Sequence, residues 1–134
     1  EPHLIEDLDG PITIDGAGGP VSLMPLKQQH GDIISLGVRI GNVAYCCDVS
    51  DFPDETVVKL SGLDLLFIDA LQYRPHPSHL SLEQALDWIA RFSPKRSVLT
   101  HMHTPLDYDT VMSETPANVE PGHDQFVVEF EMDV

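Results

Sequence analysis

The chain has 134 residues, 42% of them apolar, which suits one folded domain with its own core and argues against wholesale disorder. Its 22 Asp and Glu against 7 Lys and Arg give a net charge of -15, a field that repels polyanions and excludes non-specific nucleic-acid binding. No stretch approaches the ~20 apolar residues of a membrane-spanning helix.

The opening EPHLIEDLDG has neither a basic start nor an apolar run, so it does not read as a signal peptide. It also lacks a starting Met, as a chain processed or cut from something longer would. Gly16 to Gly19 (GAGG) reads as a turn, because no Lys-Ser/Thr pair and no helix follow it. Pro20 to Lys27 and Ile33 to Ile40 read as strands, with Gly31 punctuating the turn between them. Gly41-Asn42 is a hairpin signal, and Val43 to Cys47 (VAYCC) makes the next strand. Neighbours on a strand point to opposite faces, so Cys46 and Cys47 are not expected to chelate one ion or bridge each other. One should pack in the core and the other face a helix, which weakly favours a reducing cytoplasm.

Asp54 to Leu60 reads as a short helix after the breaker Pro53, and Leu63 to Ile68 (LDLLFI) as a strand covered on both faces. Ser81 to Phe92 is the clearest helix. Leu82, Ala85, Leu86 and Ile89 form its apolar stripe, Ser81 with Gln84 offers a capping box, and Pro94 stops it. Ser97 to Thr100 returns to strand, Leu106 to Ser113 reads as a short helix, and Gln125 to Met132 alternates like an edge strand. The order implies α/β or α+β, a mixed sheet with helices on one face.

Three strands end in residues able to bind metal or move protons: VAYCC in Asp48, LDLLFI in Asp69 and SVLT in His101. Ligand sites of open α/β sheets lie beyond the carboxyl ends of their strands, so these three can converge. The loop YRPHPSHL adds Arg74, His76 and His79 at the same end, and imidazole suits both zinc and proton transfer near neutral pH. His30 precedes Gly31; His3 and His123 read as surface residues.

His30-Gly31, VAYCCDVSDFP, LDLLFIDAL, HPSHLSLEQAL and SVLTHMHTPLDYD, in that order, resemble the C-terminal half of metallo-β-lactamase-fold hydrolases. They look most like the phosphodiesterases related to the phosphoribosyl cyclic phosphate enzyme of carbon–phosphorus lyase pathways, and more distantly like tRNA 3′-processing endonucleases. The resemblance implies half of an αββα sandwich. It matches Asp48 to a carboxylate bridging two divalent ions (zinc or manganese), His30 and His101 to one ligand of each ion, and His79 to a catalytic non-ligand histidine at the scissile phosphate. Asp69, His76 and His103 fall in supporting or pocket-rim positions. The family's His-x-His-x-Asp-His signature is absent, so the chain is expected to be a C-terminal half, inactive alone. It would pair with its missing half or a second copy, and act on a small anionic phosphodiester, possible alternatives being a thioester or lactone. A non-catalytic acidic α/β binding module is the reading outside enzymes.

Overall fold

A computed structural model describes residues 4–131 and contains one seven-stranded sheet with strands in sequential order: β1 (Ile12–Gly16), β2 (Gly19–His30), β3 (Ile33–Ile40), β4 (Val43–Cys46), β5 (Leu65–Asp69), β6 (Arg96–Thr100) and β7 (Val119–Pro121). The first four are antiparallel and the last four parallel, so the sheet is mixed. Short hairpins need no crossover, whereas the parallel strands are joined by helical connections. Gly41 takes φ 55° at the first turn position between β3 and β4, a conformation glycine adopts without Cβ strain.

The crossover helices are α1 (Asp54–Val57), extended by a 3₁₀ turn over Val58–Leu60, α2 (Leu82–Phe92) and α3 (Tyr108–Glu114). In α2, Ser81 Oγ accepts from the Gln84 N–H at 3.2 Å, and Gln84 Oε1 accepts from the Ser81 N–H at 2.9 Å. Ser93 ends the helix at φ 52° and donates its N–H to the Ile89 carbonyl at 2.8 Å. The apolar stripe Leu82, Ala85, Ile89 and Phe92 is buried. Trp88 meets Phe52 edge-on at 5.0 Å and stacks on Phe92 at 5.2 Å.

All three helices add buried side chains (Thr56, Leu82 and Val111 among them) on the sheet side that also buries Leu26, Ala44, Cys46, Leu66, Ile68 and Leu99. The other face is apolar too, yet open over its first half: Ile34, Leu36 and Tyr45 are 45–55% exposed. Its second half lies under residues 123–126, where Phe126 packs 5.8 Å from the Arg96 guanidinium.

Three sequence expectations change. Gln125–Glu131, read as an edge strand, is irregular (Met132 lies outside the described residues, as does His3). The place beside β6 is filled by β7, and a turn bonding the Phe126 N–H to the His123 carbonyl at 3.0 Å carries the chain onto the far face. β1 was not expected; its residues are mostly exposed, so no burial periodicity marks it. Cys46 packs in the core as expected, but Cys47 faces away from the helices.

Gln28 is fully buried between β3 and the end of β4. Its Nε2 donates to Ser35 Oγ at 3.1 Å and to the Cys47 carbonyl at 2.9 Å. The space beside it exists because residue 37 is glycine: a Cβ there would lie 2.4 Å from Gln28 Oε1 and 2.9 Å from the Tyr45 carbonyl. Gly37→Ala should therefore cost about 1–3 kcal/mol, as overpacking of a filled interior does. Denaturant unfolding measures this; an unchanged midpoint would show that the Gln28 clamp yields freely.

Candidate metal centre

Strand direction assembles the centre. β3 runs opposite to β2 and β4, and β4, β5 and β6 run parallel, so β2, β4, β5 and β6 all point the same way. Their carboxyl ends therefore lie along one edge, and the residues there are His30, Asp48, Asp69 and His101.

The backbone turns sharply at that edge. Asp48 has φ 53° and His101 φ 61°, left-handed conformations that cost L-residues roughly 1–2 kcal/mol and that Asp and His tolerate better than most. Strain of this kind concentrates at functional sites and persists where neighbours over-determine it. Here the neighbours are Ser35 Oγ, donating to the Asp48 carbonyl at 2.6 Å, the Gln28 amide on the Cys47 carbonyl, and the Ser50 N–H on the Gln29 carbonyl at 2.7 Å.

The loop bearing His79 is fastened to two strand ends. The Leu71 N–H donates to the Leu80 carbonyl and the Leu80 N–H to the Val49 carbonyl, both at 2.9 Å. This brings the His79 ring within 4.8 Å of both the His30 and His101 rings, between centroids. His79 Nδ1 donates to Asp69 Oδ2 at 2.6 Å, and the same oxygen accepts the Val49 N–H at 3.2 Å. Asp69 is wholly buried, and its Oδ1 accepts no hydrogen bond; it lies 3.6 Å from His101 Nδ1. His30 Nδ1 donates to the Ser78 carbonyl at 2.6 Å. Each of these bonds fixes the tautomer and leaves Nε2 as the free donor atom, the arrangement metal-binding histidines adopt.

Two groups of ligand atoms result, each packed within 4.8 Å: His30, Asp48 and His79 in one, Cys47, Asp48, Asp69 and His101 in the other. Asp48 belongs to both. Its Oδ1 lies 4.0 Å from His79 Nδ1 and 4.0 Å from His101 Nε2. Oxygen and imidazole donors around a shared carboxylate fit a pair of divalent ions, as does the orphaned buried oxygen of Asp69. Burial, then the charges of Asp69 and Asp48, hold the Cys47 thiol above its ordinary value, whereas burial pushes Cys46 to about 12.

His30, Asp48, Asp69, His79 and His101 thus come together. His76 stands at the rim, exposed, 5.2 Å from the His79 ring, with its Nδ1 accepting the Ser78 N–H at 3.2 Å. His103 is exposed and turned to its neighbour Thr104, while its backbone N–H donates to the Leu71 carbonyl at 2.8 Å. Arg74 is exposed in the loop, and His123 packs against Phe126 at 5.3 Å. Sequence reasoning passed over Cys47, because adjacent cysteines alternate in direction; its position next to Asp48 was the available signal.

Residues 3–102 match a family model described as a beta-lactamase superfamily domain. The chain is 36% identical over 107 residues to an octanoyltransferase of Porphyromonas gingivalis, covering 78% of this chain and 22% of that protein. A new diphosphatase from the PhnP family superposes with TM-score 0.85 at 32% identity, over 91% of this chain and 47% of its own. YhfI of Bacillus subtilis, a metallo-beta-lactamase fold protein, gives 0.72 at 20% identity over 90% and 52%, and human tRNase Z, short form, gives 0.65 at 18% over 84% and 44%. The chain thus spans about a fifth of the curated relative and about half of each solved structure.

Removing the Asp69 carboxylate leaves the Val49 N–H and His79 Nδ1–H without their acceptor. Asp69→Ala should destabilise the fold by about 1–3 kcal/mol, whereas His76→Ala on the exposed rim should stay within about 0.5 kcal/mol. Equal unfolding midpoints for the two variants would remove Asp69 as the tie.

Proposed function

The chain belongs to the beta-lactamase superfamily domain family, and from that membership we propose a metal-dependent hydrolase of phosphodiester or diphosphate type, acting on a small anionic substrate. The observation that carries this reading is Asp48 standing in both donor groups, as a carboxylate shared by two ions does. Asp48 would be the shared ligand, with His30 and His101 contributing one imidazole to each zinc or manganese ion. When bound, such ions supply Lewis acidity and positive charge at a phosphate, which accounts for an anionic substrate in a chain of net charge -15.

His79 is the residue we assign to proton transfer. Its Nδ1 is held by Asp69, which leaves Nε2 as the atom to protonate a leaving oxygen or anchor a phosphate oxygen. Asp69 acts as a positioning residue, because a buried carboxylate stabilises the imidazolium that proton uptake creates. His76 and His103 flank the entrance.

We further propose that this chain is the C-terminal half of an αββα domain. The half-exposed apolar face with Ile34, Leu36 and Tyr45 supports this, since burying it needs a second layer or a second copy. A hydrolase acting on an acyl thioester is the second reading, favoured by the octanoyltransferase relative, although the match covers only 22% of that protein.

In the intact protein, Asp48→Ala should lose both metal occupancy and turnover. His79→Ala should retain the metals and lose about 10²–10⁴ in rate, the usual contribution of general acid–base catalysis. Loss of metal in the His79 variant would make that histidine a ligand instead. Hydrolysis of bis(p-nitrophenyl) phosphate against an octanoyl thioester separates the two substrate readings, and activity on the thioester alone would overturn the first. A protein with no stoichiometric transition metal would be a binding module.

A further inference from the structure

We infer that Cys47 is a metal ligand, the thiolate member of the His101-side cation position, and that this position therefore takes a zinc-class ion in preference to manganese. The inference rests on the metal-centre reading above and adds a donor to it. The Cys47 sulfur lies within 4.8 Å of ligand atoms of Asp48, Asp69 and His101. Two donors on one tetrahedral zinc sit about 3.6 Å apart, from Zn–S of about 2.3 Å and Zn–N of about 2.1 Å, so the set closes on an ion after its side chains draw in by roughly one ångström.

A second feature points to the same place. Asp69 is wholly buried, and its Oδ1, a member of this group, has no hydrogen-bond donor. It lies 3.6 Å from His101 Nδ1, while His101 Nε2 is the atom nearer Asp48. With an ion on His101 Nε2, the Nδ1–H turns to Asp69 Oδ1 and the orphaned oxygen gains its partner. Cys47, Asp48 and His101 then supply three protein ligands, the number catalytic zinc sites keep while leaving one position open. Without Cys47 the chain supplies only two. On binding, the Cys47 thiol releases its proton to solvent, and the sulfur lone pair goes to the cation. Thiolate is a soft donor that favours zinc and cobalt over manganese and magnesium.

Cobalt(II) added to the full 134-residue chain reports both levels of the argument. Visible ligand-field bands show that an ion is bound, and a near-ultraviolet sulfur-to-cobalt charge-transfer band shows that a thiolate holds it. Both should appear. Cys47→Ser should lose the charge-transfer band and retain weaker ligand-field bands, whereas Cys46→Ala should keep both. In the unmutated chain, zinc should also slow alkylation of Cys47 by iodoacetamide, and manganese should not. Cobalt bound without the charge-transfer band, or a band that survives in Cys47→Ser, would remove Cys47 and leave the metal centre standing. Alkylation unchanged by zinc that is shown to bind would do the same. Absence of any cobalt binding would overturn this assignment together with the reading on which it rests.

Discussion

A single carboxylate, that of Asp69, is buried without access to solvent at the end of β5, and the geometry of the centre follows from what it touches. One oxygen takes the Val49 N–H, which fixes the chain directly after Asp48. The same oxygen takes His79 Nδ1–H, which fixes a loop from the other side of the edge. A buried carboxylate is costly, and these two donors offset that cost at one oxygen while the other is left without a donor. Position and chemistry are thereby coupled: the contacts that make the carboxylate tolerable also orient the imidazoles.

The sheet has two unlike faces. The helix side is closed, with leucine, isoleucine and the Phe52–Trp88–Phe92 cluster packed against it. The far side carries apolar residues that are half in water over β3 and β4, and it is covered by an irregular segment over β6. Small folded proteins seldom leave a contiguous patch of this kind uncovered. The centre sits where the two faces meet an edge, and Cys47, directly after β4, and Asp69, at the end of β5, both come to it.

Much of this was legible in residues alone. The α2 helix carried its cap, stripe and stop within the sequence, and each is realised by local contacts. The parallel strands were continuous apolar runs, and their terminal Asp and His residues were visible as interruptions. What was hidden is what depends on distant partners. β1 is an exposed strand defined by its hairpin. β7 is three residues long and is set by its place beside β6. Gln125–Glu131 has a strand's alternation, yet β7 already holds the place beside β6, and the turn at His123–Phe126 carries the later segment away from it. At the centre, alternation along a strand correctly put Cys46 and Cys47 on opposite faces. It could not reveal that one of those faces borders the donors, because the left-handed turn at Asp48 folds that donor back beside its neighbour.

β2 is one strand with two successive partners. Gly19–Leu23 pair with β1, and Met24–His30 pair with β3. Its first four residues are exposed, whereas Leu26 and Gln28 are fully buried. Opening of the β1 hairpin therefore breaks no core contact and need not propagate past Met24. Amide exchange along this strand should divide into two regimes: amides toward β1 exchange by local fraying, and those of Leu26 and Gln28 await a far larger opening. His30 lies in the part of the strand paired with β3, so the strand that begins exposed delivers its last side chain from beyond its buried stretch.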